Sequence, residues 1–327
     1  MQQSEFQKAF RVMGRITIAA VYLLILVGGV VRASGSGMGC PDWPKCFGQW
    51  VPPTDVSQLP SNYQEIYAHR GYADTEFNAV KTWIEYLNRL LGAVIGLLIF
   101  ATMLLSISFW RADKQVLLFT ILSFILVGFN GWLGSVVVAT NLRPVTITIH
   151  MVAALLVVGT LIYAVARSRA DAASFGSIRP SKLIPWLIAL TILLSLAQLL
   201  LGTQVREHVD ELAKLMGESS RAQWSESFGR TFYIHRSLSI AIFLANAALA
   251  FVIVRRTHTK GGLVRSVYAL MGLIGAEIIA GMILYYGGMP ASFQPVHLLL
   301  GALLYGVQFY IAIAYGFARN SASATAP

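Results

Sequence analysis

Charged residues are scarce in this chain of 327 residues. Asp, Glu, Lys and Arg together make up 12% of it, and 56% of the residues are hydrophobic. A typical soluble domain has about 25% charged residues, so the shortage excludes an ordinary soluble protein. The long Leu, Ile and Val runs also lack the alternation of a transmembrane β-barrel. We therefore predict an all-α polytopic membrane protein.

Hydrocarbon about 30 Å thick requires roughly 20 apolar residues per helix. The sequence contains eight such runs, and we predict one membrane-spanning helix for each: residues 14–34, 84–109, 115–139, 145–166, 183–205, 231–254, 264–286 and 293–317. The first run is too long for a removed signal peptide and lacks the flank of a cleavage site.

Acidic residues are almost missing from alternate connections. The connections after the second, fourth and sixth runs are basic and contain only Asp113 and Asp171 as acids. By the positive-inside rule, these connections and both termini are predicted to be cytoplasmic. The net charge of +10 is then mostly a topology signal, and we expect no nucleic-acid partner. Because no Arg- and Ser-rich presequence is visible, we expect a bacterial plasma membrane rather than a mitochondrial one.

Cysteine is also scarce, since only Cys40 and Cys46 occur, both in the first outside loop at about residues 35–83. Without a CxxC pattern or an adjacent histidine, they do not favour a metal site. On the oxidising side of the membrane a disulfide between them can persist. It would be either a structural staple or an exposed, more easily reduced, redox-active pair.

An internal repeat accounts for much of the chain. The stretch Gly128–Tyr163 returns in altered form as Gly275–Tyr310, with one histidine at the same place in each copy. Four spans per half is an even number, so the halves run in the same direction, related by a two-fold axis along the membrane normal. We predict two four-helix bundles, formed by residues 1–170 and 171–327.

The repeat and the parity of the spans place four polar residues at one depth. Asn88, His150, His235 and His297 all lie in the first two turns or so of even-numbered spans, near the outer leaflet. A single membrane histidine is most simply a hydrogen-bonding group. Two at one depth in the C-terminal half favour a bis-histidine pair on a heme. Arg236 is then a partner for a heme propionate, or a snorkelling arginine at a helix end.

The N-terminal half has a different set of polar residues. Glu85 and Asn88 are three residues apart on one helix face, with Arg89 beside them. Phe232 stands where Glu85 would be in the other half. This difference indicates a permanent cofactor site beside a reactive site. Glu85 is either a buried base or electrostatic stabiliser, or a carboxylate paired with Arg89 as an interfacial anchor.

Two further segments carry polar residues. Residues 206–230 are charged and mixed in sign, and we predict a short amphipathic helix there on the outer surface, with His208 solvated. Glu277 occupies the position of Asn130 in the repeat and lies in the middle of a span. We expect it to be a protonated, hydrogen-bonded interior residue, with a proton route as the alternative.

These features together resemble the heme A synthase family over essentially the whole chain. The resemblance rests on the duplicated eight-span pattern, the segments GGVVRASGSGMGCPDWPKC and TWIEYLNRLLG, and the histidines at 150, 235 and 297. It implies oxidation of the C8 methyl group of heme O to the formyl group of heme A, for cytochrome c oxidase assembly. It also implies that His235 and His297 bind a low-spin heme b, that heme O binds near Glu85 and His150, and that the Cys40–Cys46 pair influences activity.

The departure from the family pattern is Asn88, where many members have a fourth histidine. An amide is a poor iron ligand, so we expect His150 alone to bind the iron of heme O. Two rival functions are a di-heme electron carrier of the cytochrome b type and a heme transporter or chaperone. The sequence does not identify the electron donor, and leaves open copper binding, self-association and docking on the heme O synthase.

Overall fold

The protein is described here by a computed structural model, which covers residues 4–169, 175–259 and 261–324. Eight helices in this part of the chain are long and apolar enough to cross a membrane, one for each predicted run. They are α1 (Glu5–Ala33), α3 (Ala79–Ser106), α4 (Lys114–Ala139), α5 (Pro144–Arg167), α6 (Leu183–Met216), α7 (Arg230–Arg256), α8 (Gly262–Tyr286) and α9 (Phe293–Ala324); α2 (Tyr63–Ile66) is a single turn in the first loop.

Local sequence explains where several of these helices begin. The side chains of Ser4, Asn78 and Asp113 precede α1, α3 and α4 and accept hydrogen bonds from backbone amides of the first turn. Such caps satisfy amide groups that have no partner within the helix. Pro144 begins α5, where a missing N–H costs nothing. The Ser4 cap starts α1 well before the predicted run at residue 14.

Helix packing follows the predicted division of the chain. In the first half α1 packs on α3, α3 on α4, α4 on α5 and α5 on α1; in the second, α6 to α9 form the same ring. Across the halves α1 packs on α9, α5 on α6, and α5 on α9. If α1, α3, α4 and α5 are exchanged with α6, α7, α8 and α9, the same helix contacts result, as expected for two halves related by a two-fold axis. The two-bundle repeat stays a prediction that the pattern favours, and its boundary at residues 170 and 171 lies outside the described residues.

Two short strands join connections that the charge pattern assigns to one side. Strand β1 (Ser177–Ile178) follows α5 and pairs antiparallel with β2 (Thr257–Thr259), which follows α7. Both segments belong to the connections predicted to be cytoplasmic, so their pairing agrees with the predicted parity of the spans. The sidedness itself stays a prediction.

The outer surface of the bundle is apolar. Large apolar side chains are exposed on several helices, for example Leu97, Leu193 and Phe251, with 68%, 65% and 61% of their surface accessible. Soluble monomeric proteins rarely expose large contiguous apolar surfaces. The interior is separate and close-packed: Ile99, Val158 and Leu161 are buried in the first half, and Leu249 and Ile311 in the second. Lipid is the environment that this distribution fits.

The prediction of a separate amphipathic helix in residues 206–230 is wrong. Helix α6 continues without a break to Met216, and a 3-10 segment, Glu218–Ser227, follows it. The extension carries an ion pair one turn apart, with Arg206 Nη2 2.6 Å from Asp210 Oδ1, and such pairs support a helix. His208 on this extension is only partly exposed, since its Nδ1 lies 3.3 Å from Glu211 Oε2 and its Nε2 3.1 Å from the Ser227 carbonyl.

Candidate functional site

His235 and His297 face each other inside the C-terminal half, on α7 and α9. Their ring centroids are 6.3 Å apart and their planes are inclined by 76°. Two imidazoles that bind one metal through bonds of about 2 Å each have centroids about 6 Å apart. The spacing therefore fits a single ion held between the two rings. Neither Nδ1 is exposed to solvent, and neither makes a well-aligned hydrogen bond.

A glycine on the adjacent helix leaves room for each candidate ligand. A β-carbon built at Gly202 on α6 would lie 3.4 Å from Cε1 of His235, and one built at Gly281 on α8 would lie 3.6 Å from Cε1 of His297. In the first half Gly134 lies against His150 with a corresponding distance of 3.5 Å. The fourth pair is Gly28 and Asn88: a β-carbon built at Gly28 on α1 would lie 4.0 Å from Oδ1 of Asn88.

Gln198 lies on α6 beside His235 and was not predicted as a site residue. Its Nε2 donates a hydrogen bond to the backbone carbonyl of His235 at 2.9 Å and lies 3.5 Å from the ring Nε2. Gln198 precedes Gly202 by four residues, so both lie on the same helix face. That spacing was the available signal, because a polar residue beside a glycine in an apolar span marks a packed interior face.

Among the described residues of the N-terminal half, the buried side-chain atoms without a hydrogen bond include Oδ1 of Asn88, Oδ1 of Asn130 and Nδ1 of His150. Asn88 is on α3 and His150 on α5, the helices that correspond to α7 and α9. A buried polar atom without a partner costs about 1–3 kcal/mol. Such atoms in a membrane interior are therefore candidates for contact with a ligand.

Glu85 is 3% exposed and uses both carboxylate oxygens. Oε2 accepts a hydrogen bond from the backbone amide of Cys40 at 2.9 Å, and Oε1 accepts two from the guanidinium of Arg89. Arg89 also donates to the backbone carbonyls of Cys40, Asp42 and Lys45. These are the contacts of the anchor interpretation, and they attach the first loop to α3. The predicted catalytic role of Glu85 stays a prediction.

The Cys40–Cys46 disulfide is present. The exposure that the redox-active interpretation assumed is wrong, since both cysteines are 0% exposed. They lie in an aromatic cluster with Phe47, Tyr63 and Tyr72, because burying these rings removes apolar surface from water. Burial raises the pKa of the Tyr72 hydroxyl, which donates to the Met38 carbonyl. The disulfide is therefore part of a packed minidomain between α1 and α3, formed by the first loop.

Glycine allows this loop to approach α3 closely. A β-carbon at Gly39 would collide with the backbone of Lys81, and the Gly39 carbonyl accepts a hydrogen bond from Thr82 Oγ1 at 2.8 Å. Asp42 turns the loop back by accepting bonds from the amides of Phe47 and Gly48 at 2.6 and 2.8 Å. Asp42 is a second residue that sequence reasoning missed.

Arg236 lies in the second turn of α7 and is exposed. Its guanidinium stands over the rings of Tyr233 and Tyr285, at 5.3 and 5.9 Å from their centroids. Stacking on tyrosine leaves the hydrogen-bonding edge of a guanidinium available. The predicted contact with a heme propionate is untested, and the position next to His235 is compatible with it.

A cavity of about 590 Å³ opens where the two halves meet, between α5, α6 and α7. Its lining includes Thr148, two residues before His150, and Phe232, three residues before His235. Thr148 and Thr203 of the lining are hydrogen-bonded across the helices at 3.1 Å. Neither His150 nor His235 is part of the lining, so the cavity lies beside the candidate ligands at the junction of the two halves.

Within the described residues, no group of three or more His, Cys, Asp or Glu side chains is placed to hold a metal ion. A heme does not need such a group, because the porphyrin supplies the remaining ligands. The facing pair on α7 and α9 thus suits a heme iron better than a bare ion. His150 has no second histidine opposite it.

A family model described as cytochrome oxidase assembly protein, COX15-CtaA, matches residues 11–309. The chain belongs to this family. It is 25% identical to the heme A synthase of Methylobacterium sp. (strain 4-46) over 320 residues, covering 88% of this chain and 87% of the relative. It is 26% identical to that of Rhizorhabdus wittichii over 87% and 89%. It is also 31% identical to the heme A synthase of Shewanella oneidensis, but this match covers only 47% of this chain and 44% of that protein.

Proposed function

We propose that this chain is a heme A synthase, a heme-dependent oxidoreductase that converts the C8 methyl group of heme O into the formyl group of heme A. One observation carries the proposal: the C-terminal half has two facing histidines 6.3 Å apart, whereas the N-terminal half has His150 and a buried, unbonded amide at Asn88. Membership of the COX15-CtaA family and the relatives named heme A synthase support it.

In this proposal His235 and His297 hold a resident heme b. When bound, that group supplies one-electron transfer. The chain contributes the two imidazoles, the glycines at 202 and 281 that leave room for them, and Gln198, which fixes the backbone of His235. Arg236 lies beside this site at the outer end of α7 and would pair with a propionate. The surrounding apolar helices exclude water.

The N-terminal half binds the substrate, heme O. His150 is its iron ligand, and Asn88 occupies the opposite position without closing it, since an amide is a poor ligand for iron. The position left open on that side is where an oxidant reaches the substrate. Arg89 and Glu85 hold the disulfide loop against α3, so we infer that they shape the outer end of the substrate pocket. A direct catalytic role for Glu85 requires that the substrate replace one of these contacts.

The proposed setting is the plasma membrane of a bacterium, with both termini in the cytoplasm and both heme sites near the outer leaflet. The charge asymmetry of the connections supports this orientation. Its partners are heme O, a heme O synthase that supplies it and a separate electron donor, with self-association as a further proposal. The product would serve cytochrome c oxidase assembly.

Co-expression with a heme O synthase, followed by extraction and chromatography of the pigments, tests the proposal. Heme A should appear with the intact chain and be lost with His150→Ala, while the protein level and the heme b spectrum are retained. Accumulation of heme O without heme A in the presence of the intact chain contradicts the enzyme. If heme O is not converted, the number of low-spin hemes distinguishes the two rivals. Two low-spin hemes per chain would favour the di-heme carrier, and bound heme O without a second low-spin heme would favour the transporter.

A further inference from the structure

Glu277 lies beside a candidate heme ligand in the interior of the C-terminal half. Its Oε2 on α8 is 3.2 Å from Nδ1 of His297 on α9. Both atoms are shielded from solvent; they lie within ion-pair distance but are not aligned for a hydrogen bond, and neither makes a hydrogen bond to any other group of the described residues. A carboxylate inside a membrane is costly without a specific partner. The histidine is the partner that this position offers.

The adjacent helix is shaped to admit this carboxylate. Gly301 follows His297 by one turn, and a β-carbon built there would lie 3.4 Å from Oε1 of Glu277 and 3.3 Å from Leu199. A β-carbon at residue 301 would thus be in ordinary contact with the carboxylate and in tighter contact with Leu199, and a side chain larger than alanine would enter the space that Glu277 occupies. Glycine is less favourable than alanine inside a helix, so its presence next to Glu277 is consistent with a packing requirement.

The N-terminal half differs at both positions. Counting from the histidines, Asn130 takes the place of Glu277 and Ala154 takes the place of Gly301. The shorter amide beside His150 coincides with a larger neighbour on the next helix. Only the half with the facing histidine pair therefore supplies a carboxylate behind its ligand.

We propose that Glu277 is a positioning residue of the heme b site: its carboxylate accepts a hydrogen bond from Nδ1–H of His297, which leaves Nε2 for the iron and lowers the reduction potential of the heme. The inference rests on the proposed heme b site at His235 and His297. A carboxylate behind a metal-ligating imidazole fixes its tautomer and makes it a stronger donor. A stronger donor stabilises the ferric state relative to the ferrous state.

The consequence is an unequal pair of sites in one chain. The heme held by His235 and His297 becomes a better electron donor than a neutral bis-imidazole site in the same bundle would be. The substrate site has an amide at the corresponding position and lacks this charge. The asymmetry at 277 and 130 thus gives the resident heme a lower reduction potential than the same site would have with an amide at residue 277.

Redox titration of the purified full-length protein with its resident heme tests the inference. Two variants remove the charge: Glu277→Gln keeps the length of the side chain, and Glu277→Asn copies the residue of the other half. Each should raise the reduction potential, shifting the ferric-to-ferrous equilibrium by tenfold or more, which is about 59 mV for a one-electron couple. The low-spin optical spectrum should be retained, because both histidines remain.

Glu211→Gln is the matched control. It removes the same charge, also from a carboxylate close to a histidine, since Glu211 Oε2 lies 3.3 Å from His208 Nδ1. Its potential should stay near that of the unaltered protein. A shift as large as that of Glu277→Gln would mean that the effect is general electrostatics, and it would overturn the inference.

Two outcomes separate this inference from the proposed function. An unaltered protein without a six-coordinate low-spin heme contradicts the heme b site itself. A low-spin heme whose potential is the same in the Glu277 variants overturns only the role of Glu277. If both variants lose heme, electron paramagnetic resonance of the unaltered protein decides: a ligand field stronger than that of neutral bis-imidazole supports the carboxylate contact, and one equal to it contradicts the contact.

Discussion

Gly202 lies against the imidazole of His235, so closely that a β-carbon at this glycine would come within 3.4 Å of Cε1. The two residues are on neighbouring helices, α6 and α7. The same relationship links Gly281 with His297 and Gly134 with His150. Glycine thus sets the position of each ring across a helix interface, as small residues do in membrane bundles.

Gly202→Val is expected to move His235 and weaken heme binding. A β-carbon at residue 202 would already be in van der Waals contact with the ring, 3.4 Å from Cε1, so the two additional methyl groups of valine would press on the imidazole. Disturbing a ligand's support typically costs about tenfold or more in affinity, and heme content after purification, measured by the pyridine hemochrome assay, should fall. Gly275→Val is the control, because a β-carbon there meets no atom within 4 Å. Equal heme content in Gly202→Val and Gly275→Val would contradict the role of this contact.

Asn88→His should create a second bis-histidine site. Asn88 is at the position that corresponds to His235, its Oδ1 has no hydrogen bond, and Gly28 leaves space beside it. With heme O bound, the optical and electron paramagnetic resonance spectra should gain a second six-coordinate low-spin signal. Asn88→Gln, which adds length without an imidazole, should not give this signal. Spectra that stay unchanged in Asn88→His with bound heme O would count against opposing positions for residues 88 and 150.

Glu85→Ala should loosen the disulfide loop. The change removes the acceptor for the Cys40 amide and the ion pair of Arg89. Breaking a buried pair typically costs 3–5 kcal/mol, and we expect about 2–3 kcal/mol because Arg89 keeps three backbone carbonyls. Trapping of free thiols during mild reduction should show Cys40–Cys46 opening at least about tenfold faster.

Glu65→Ala is the control for this loop experiment, since Glu65 is an exposed carboxylate of the same loop. It should leave the rate of reduction unchanged. If Glu85→Ala reduces no faster than Glu65→Ala, the disulfide is protected by the aromatic cluster alone, and the anchoring role of Glu85 is wrong.

Asp210→Asn should weaken the junction of the two halves. Its carboxylate bridges Arg206, 2.6 Å away on α6, and Arg32, 3.0 Å away at the end of α1. The groups are partly exposed, so we expect a loss of about 1 kcal/mol, with less effect at high salt. Thermal unfolding in detergent measures it. Glu5→Gln breaks the exposed pair with Lys8 and should change nothing; equal melting shifts would show that Asp210 is not a bridge of consequence.

The spans could be predicted from the sequence because lipid imposes one requirement on every segment: about 20 apolar residues in a helix. Each of the eight predicted runs lies within a helix of the structure or extends at most three residues beyond it. The end of α6 could not be predicted in this way, since residues 206–216 are rich in charged side chains and are held in a helix by contacts such as Arg32 with Asp210. Those contacts are distant in sequence, and hydropathy does not report them.

Only those site residues that occupy matching positions in the two halves of the internal repeat could be predicted from the sequence. Matching the two halves paired His235 with Asn88 and His297 with His150, and the structure brings His235 and His297 together. The repeat gave no information on Gln198 or on the fold of the cysteine loop. Gln198 depends on a contact between two helices, and the loop depends on side chains that meet within it, such as the Phe47 ring with those of Tyr67 and Tyr72.

The central claim is that one iron is held between residues 235 and 297, and spectroscopy of single-histidine variants tests it most directly. The purified protein should show a six-coordinate low-spin heme that is lost in both His235→Ala and His297→Ala. It should remain in His208→Ala, which removes a histidine outside the proposed site. A low-spin heme that persists in either of the first two variants, or one that disappears in all three, would contradict the account.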